Sequence, residues 1–518
     1  MPLRLRSTAF VVAISLLSAQ RTVAQLAGDT LFDTDQVINL QLSFDDPDFW
    51  ITLLMNHQSG TEALIPADVV ITDLSGTYTF DSVGVRLKGN SSFDFYPTQK
   101  KPIKLDFDAY VDGQKYHGLK KLNLSNNWSD ASLLREKVFM DVCRREGVLA
   151  PRVGFANVSL NGQAWGFYSV IEQVDKTFLD RWLGDNDGNL FKAGDNYTPD
   201  GGGLGLEADL NHYGNSAANY TGRYELKTNE VLNDWTDLIE LLDFIDNTNS
   251  TDLVAGLPDR FEWTGVLRSL ALDNLFGNMD AYYGTARNYY LYHDSTTFKW
   301  NWVHWDANMA FGRYVPQWVN DVAALPATYT SPGRRLLQRV MGNATLRQAY
   351  LVEYCDLFER FTNAELDPYI DQLHDLIQPH VYADNNKEFQ NADFENNIEQ
   401  TTTAFSGGFW WTMPGLKSFI AERRTNLLNS TLDCSSVGMP EVFAEAFAAY
   451  PNPTTGPVTI TLPTGVQLRD VLVTDALGRR WQVPLVGNGL DLSAMDPGSY
   501  VLTALEGEEQ VRALVVKE

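Results

Sequence analysis

The chain is short of four things, and each shortage argues against a class of protein. It has three cysteines, Cys143, Cys355 and Cys434, in 518 residues. That is too few for a disulfide framework, and their spacing does not suit a metal. After the first 24 residues no apolar run approaches about 20 residues, so no transmembrane segment is expected in the mature chain. Positive charge is scarce as well: 40 Lys and Arg stand against 66 Asp and Glu, a formal charge of −26. Sequence-independent nucleic-acid binding draws its affinity from Lys and Arg on phosphates, so no nucleic-acid partner is expected. The repeated glycines of a G-x-G-x-x-G or P-loop cradle are also missing. The turn Gly89-Asn90-Ser91-Ser92 is therefore a weak phosphate signal, and an ordinary hairpin explains it equally well.

What is present describes an exported, multidomain protein. Hydrophobic residues make up 44% and aromatics 12%, a globular composition at a length that predicts two or three domains. Residues 1–24 read as a signal peptide: Arg4 and Arg6, an apolar core from Ala9 to Ala19, and Thr22-Val23-Ala24 before the cleavage point. From Gln36 to Leu105 short alternating runs such as VINLQLSF and SVGVRLKG predict strands. DASLLREKVFMDVCRREG, Asp130 to Gly147, has helical spacing and a terminal Gly. Asn161-Gly162 predicts a hairpin, and Asp195 to Asn219 a Gly/Asn-rich loop. From Asp234 onward the apolar period is mainly helical. After Cys434, short strands between Pro/Gly turns predict a separate small β-sandwich, with the boundary at Val437 to Phe443. The fold class is thus α+β in two lobes, followed by an all-β unit.

The stretch from Asn278 to Gly312 carries the chemistry. It sets Asp280, Asn288 and Asp306 among aromatic strand-like runs, Tyr289 to Tyr292 and Phe298 to Trp302. Phosphoryl transfer needs an acid to position the attacking hydroxyl and oxygen ligands to hold a divalent cation on the phosphates. An Asp, an Asn and a second Asp beyond a hairpin supply those groups in that order. Asp and Asn are also ordinary turn residues between strands. His304 beside Trp305 reads as a packed core histidine.

Several ordered phrases resemble the CotH family of atypical, kinase-like proteins, named for spore coat protein H. They are SFDDPDFW, VRLKGNSS, KKPIKLDFD, LREKVFMDVCRREGVLAPR, NGQAWGFYSVIEQVDKTFL, GNLFKA, YELKTN, NMDAYYGTARNYYLY and HWDANMAFG. The resemblance covers residues 36–430. It implies an atypical two-lobed protein-kinase-like fold, with Asp280 as the catalytic Asp that orients or deprotonates the acceptor hydroxyl, Lys104 as phosphate lysine and Glu136 as its partner. Asn288, Asp306 and Asn308 would ligate Mg²⁺ or Mn²⁺. Arg86, Lys88 and Lys227 are further contacts to ATP, and Glu172 stands where the hinge between lobes would be. No His-Arg precedes Asp280, and the interval to Asn288 exceeds that of ordinary kinases. The family's W-D-x-D phrase reads here Trp305-Asp306-Ala307-Asn308. Residues 443–518, with YPNPTTG, VLVTDALGRR and MDPGSYVL, resemble the sorting domain of type IX secretion cargo in Bacteroidetes-type bacteria, expected as an immunoglobulin-like sandwich.

The expected function is transfer of the ATP γ-phosphoryl group to Ser or Thr of secreted or cell-surface proteins. The C-terminal unit would engage the type IX machinery after passage through the periplasm. A non-catalytic surface, coat or adhesion protein on the same fold is the competing class.

Overall fold

The structure is a computed structural model that describes residues 27–32, 36–194, 206–430, 432–435, 448–461, 471–475, 480–486, 489–506 and 509–517. The expected signal peptide, part of the Gly/Asn-rich loop and the expected domain boundary lie outside those residues.

The alternating runs form β1 (Val37–Ser43), β2 (Ile65–Asp73), β3 (Gly76–Leu87), β4 (Ile103–Asp106), β5 (Lys121–Ser125), β6 (Val153–Leu160) and β7 (Gln163–Glu172). They close into a barrel in the order β1-β2-β3-β4-β5-β7-β6, sealed by parallel pairing of β1 with β6. Side chains alternate across a strand. Val85, Leu87, Ile103, Leu105, Leu122 and Leu124 fill the buried core of the barrel. Arg86, Lys104 and Asn123 consequently share the opposite face, and register sets Arg86 against Lys104 and Lys104 against Asn123. The early helices are α1 (Asp29–Phe32), α2 (Phe49–Gln58), α3 (Ser91–Asp94) and α4 (Arg135–Arg145). The last is the helix that the period predicted. It buries Val138, Phe139, Val142 and Cys143.

The remainder of this body is built on α5 (Lys176–Leu183), β8 (Asn189–Ala193), β9 (Tyr224–Leu226), α6 (Thr236–Asn247), α7 (Ser250–Arg260) and α8 (Trp263–Leu275). It continues through β10 (Tyr289–His293), β11 (Trp300–His304), α9 (Arg335–Gly342), α10 (Ala344–Arg360), α11 (Asn363–Ala383), α12 (Asn391–Glu399), β12 (Thr402–Ser406), β13 (Phe409–Met413) and α13 (Leu416–Leu428). A four-stranded sheet runs β11-β10-β8-β9. The expected hairpin is present, with Tyr289 opposite His304. Its second strand begins at Trp300 rather than Phe298, because Phe298 turns the chain at φ +57° and is 72% exposed.

Buried ion pairs brace the body, and two of them join distant segments. Lys100 Nζ lies 2.7 Å from Asp384, whose carboxylate also accepts from the Phe167 amide. That contact joins the approach to β4 and strand β7 to the end of α11. Arg152 grips Glu172 through both its Nε and a terminal nitrogen. Cys355 on α10 is bridged to Cys434 across 79 positions. Three cysteines make no framework, yet they do make one bridge, a pairing that spacing did not reveal.

The C-terminal unit has two four-stranded sheets. One holds β14 (Ala448–Tyr450), β15 (Pro457–Thr461), β18 (Leu485–Val486) and β19 (Gly489–Asp491); the other holds β16 (Val471–Asp475), β17 (Arg480–Val483), β20 (Gly498–Glu506) and β21 (Glu509–Lys517). Ile460, Leu490, Val473, Leu502 and Val515 belong to one apolar cluster drawn from both sheets.

Candidate active site

Between α8 and β10 the chain doubles back on itself. The Asn288 side-chain amide donates to the Asp280 carbonyl at 2.6 Å. The fold-back is tight at Gly284, where a Cβ would stand 1.9 Å from the Met279 carbonyl oxygen. Only glycine fits there, so the long Asp280–Asn288 interval is a compact loop. Across the hairpin the Trp305 amide donates to the Asn288 carbonyl at 3.1 Å, which brings Asn288 beside the start of the Asp306 loop. Ala286, Asn288, Asp306 and Phe311 all have φ between 51° and 60°. Asn and Asp tolerate that region; Ala and Phe do so at a cost, and such strain gathers at functional sites. Asp280 lies near Tyr314, whose phenol is pushed up by burial and then by that carboxylate.

A buried charge cluster faces this loop. Glu136, in the first turn of α4, is 7% exposed. Burial and the Asp306 carboxylate hold its pKa well above the usual range, while Lys88 and the Ala307 amide oppose the rise. Lys88, just beyond β3, donates to Asn123 at 3.2 Å and lies 5.3 Å from the centre of the Trp305 ring. Burial takes its ammonium down to about 8, Lys192 adds to the fall, and Asp306 and Glu136 resist it. Glu136 is thus among the charges that act most on Lys88, and it is not among those that act most on Lys104. Alternation had marked Lys88 only as a further contact.

Lys104 has different surroundings. Burial lowers it to about 7, followed by the cations Arg86, Lys88, Lys121 and Lys227. Arg86 pairs with Glu62 at 2.7 Å and Lys227 with Glu225 at 2.6 Å. The Glu172 carboxylate is 2% exposed and is taken by the Arg152 amide and guanidinium, so its side chain makes a structural ion pair. Asn308 donates to the Trp128 carbonyl at 3.2 Å, which leaves Oδ1 as its donor atom toward a cation. His304 is the packed histidine expected: it is 1% exposed, edge-on to Phe139 at 5.2 Å, and burial lowers it to about 3. Lys192 was missed. It lies in GNLFKA on β8, opposite Tyr290 of β10, and only that long-range pairing brings it to Lys88.

The family model described as CotH kinase protein matches residues 85–427, more than half of the chain. The chain belongs to the CotH kinase protein family. Its residues 448–518 match the model of a secretion-system C-terminal sorting domain, and such a tail implies delivery to the cell surface. No helix among the described residues is long and apolar enough to cross a membrane. Inner spore coat protein H of Bacillus subtilis (strain 168) is 26% identical over 307 residues, 58% of this chain and 78% of that protein. A solved structure, the proinflammatory kinase CtkA of Helicobacter pylori, aligns at 10% identity over 63% of this chain and 91% of that one, with a TM-score of 0.25.

Membership in the CotH family makes a nucleotide and a divalent cation the groups to test against these residues. Among the described residues no three His, Cys, Asp or Glu converge into a metal cluster. Two acids do face each other here, Glu136 and Asp306, each raising the cost of the other's charge. Carboxylate and amide oxygens such as those of Asp306, Asn288 and Asn308 are of the hard type that Mg²⁺ prefers.

Proposed function

We propose that this CotH protein is a secreted atypical kinase that transfers the ATP γ-phosphoryl group to Ser or Thr hydroxyls of exported or surface proteins. The observation that carries this reading is the meeting of Lys88, Glu136 and Asp306 beside the Asp280–Asn288 loop. In it, Lys88 is held by Glu136 and neutralises phosphate charge, with Lys104, Lys192, Lys227 and Arg86 as further cations around the nucleotide. Asp280 orients the acceptor hydroxyl and takes its proton as the new O–P bond forms, the bond from the γ-phosphorus to the β,γ-bridging oxygen breaks and ADP leaves. Mg²⁺ or Mn²⁺, held by Asp306, Asn288 and Asn308, would screen the phosphates and the charge that develops on them. The fold is read as an atypical two-lobed kinase over 36–430. An immunoglobulin-like sandwich, 443–518, would serve as address for the type IX machinery.

The test is transfer from labelled ATP by purified mature protein with Mg²⁺ or Mn²⁺, to itself and to cell-envelope proteins. Transfer should fall at least ~10²-fold in Asp280→Ala and Asp306→Ala, the usual scale for losing a positioned acid or base. Identical behaviour of wild type and both variants would end the enzyme reading. Asn308 favours the second reading, a non-catalytic coat or adhesion protein, because a neutral oxygen holds a cation less tightly than a carboxylate. The relative's name, an inner spore coat protein, fits that reading as well.

A further inference from the structure

Helix α13 lies at the end of the stretch matched by the CotH model, and one face of it reaches under the candidate site. Leu416, Phe419, Ile420, Arg423 and Leu427 are buried along it. Phe419 and Arg423 are neighbours on that face, and each meets the chain where it leaves α8 on its way to Asp280.

Arg423 is 0% exposed. Its guanidinium donates to the Asn274 carbonyl at 3.2 Å, the Asn274 side-chain oxygen at 2.6 Å and the Tyr354 hydroxyl at 3.4 Å. It also donates to the Ala323 carbonyl at 3.1 Å and to the Leu325 carbonyl. All of these acceptors are neutral. A buried cation is costly without compensation, and here main-chain dipoles supply it. Asn274 stands in the last turn of α8, where unpaired carbonyls carry the negative end of the helix. The Asn274 side chain is itself fixed, accepting from Tyr354 at 2.7 Å and donating to the Pro326 carbonyl at 3.1 Å. One guanidinium thus ties the end of α8 to the segment 323–325.

Phe419 covers the place where the two loops of the site cross. The Phe311 amide donates to the Phe276 carbonyl at 2.6 Å, and the Gly312 amide to the Gly277 carbonyl at 3.3 Å. The chain running to Asp280 and the chain running from Asp306 therefore touch main chain to main chain. Gly277 and Gly312 have φ +56° and +65°. A Cβ on Gly277 would stand 2.8 Å from the Phe419 ring, and one on Gly312 2.7 Å from it. The ring lies directly on the crossing.

We infer that Arg423 is a positioning residue for phosphoryl transfer. From α13 it fixes the end of α8, and through the crossing under Phe419 it sets the Asp280 loop against the Asp306 loop. A lysine would keep the charge but not the planar fork that reaches several carbonyls at once. The site is accordingly complete only when α13, the last helix before the sorting domain, has packed. The inference rests on the phosphotransfer reading for its effect on turnover, and on the contacts alone for the holding of the loops.

The experiment uses the full mature chain. Amide hydrogen exchange is followed by mass spectrometry without nucleotide in wild type, Arg423→Lys, Asn274→Leu and Asn274→Asp. In Arg423→Lys the amides of 276–288 and 309–313 should exchange about tenfold or more faster, the scale of losing a hydrogen bond to a charged group. Those of β1 to β7 should keep the wild-type rate, which shows that the protein remains folded. Asn274→Leu breaks the same contact from the other side and should do likewise. Asn274→Asp leaves an oxygen for the guanidinium and should keep the protection. With labelled ATP, Arg423→Lys should lose about tenfold or more in kcat while its KM for ATP stays within about twofold of wild type. Unchanged exchange in both loops, equally faster exchange in the barrel, or Asn274→Asp exchanging as Asn274→Leu does would each overturn the inference. So would faster loop exchange with kcat intact, or a defect in KM alone. The expected exchange pattern with no transfer by the wild type would remove the phosphotransfer reading and leave Arg423 as the residue that holds the two loops together.

Discussion

At the scale of single residues, the site is a contest between burial and charge. Lys88 sits between two acids, and its charge is supported. Among the residues that most perturb Lys104, by contrast, each is a cation. A lysine in the unfolded chain titrates near 10.4, whereas Lys104 does so at about 7. Between those values the unfolded chain holds a proton that the folded chain has released, so this group makes stability rise with pH across the window. Below it the full penalty of charging the buried ammonium is present. Lys104→Met should therefore raise the Tm of the ligand-free protein by about 2–4 °C near pH 6.5, with the gain vanishing by about pH 10.5. Calorimetry across that range checks it, and a gain that ignores pH would show that the ammonium is solvated after all. An anion bound beside Lys104 would lift its pKa and erase the difference, which ties the measurement to the nucleotide.

At the scale of elements, local signals were readable and long-range ones were not. The helical period of α4 and the Asn161-Gly162 turn are properties of adjacent residues, and both elements stand where the sequence placed them. The barrel seam was not legible, because β1 and β6 are parallel and more than a hundred positions apart. The same limit kept the charge neighbours of Lys88 and Lys104 out of sight. Alternation put Arg86 and Lys88 on one face, but only tertiary packing says which lysine α4 brings its glutamate to. The hairpin β12–β13 did leave a signal, Gly407-Gly408 between alternating residues, submerged in a stretch that otherwise read as helical. Lys100–Asp384 belongs to this scale too, as a fully buried pair joining barrel to helices. Breaking such a pair strands a charge and costs about 3–5 kcal/mol. Asp384→Ala should lower the urea midpoint by that much stability, and Lys100→Met/Asp384→Leu should recover a good part of it. A single variant within about 0.5 kcal/mol of wild type would mean that the lysine escapes to solvent.

At the scale of the whole molecule, a charge of −26 coexists with a local cluster of cations, Arg86, Lys88, Lys104, Lys192 and Lys227, that act on one another. Such a concentration of one sign attracts anions whatever the net charge of the chain. Export is the second property at this scale. With residues 448–518 matching a sorting domain, removing the chain after Glu441 should leave the protein inside the envelope, with its Tm unchanged. Fractionation and surface labelling read the outcome, and normal surface delivery of the truncated chain would refute the address. The bridge Cys355–Cys434 lies before that cut, so the truncation leaves it in place.

The parallel seam of the barrel has a kinetic consequence. A chain threaded through a membrane N-terminus first delivers β1 long before β6, and β1 has only β2 to pair with until Leu160 has crossed. Contacts so distant in sequence form slowly, since the intervening loop must be closed before they return any free energy. In such a transit the segment would stand as an open sheet with an exposed edge until the seam shuts.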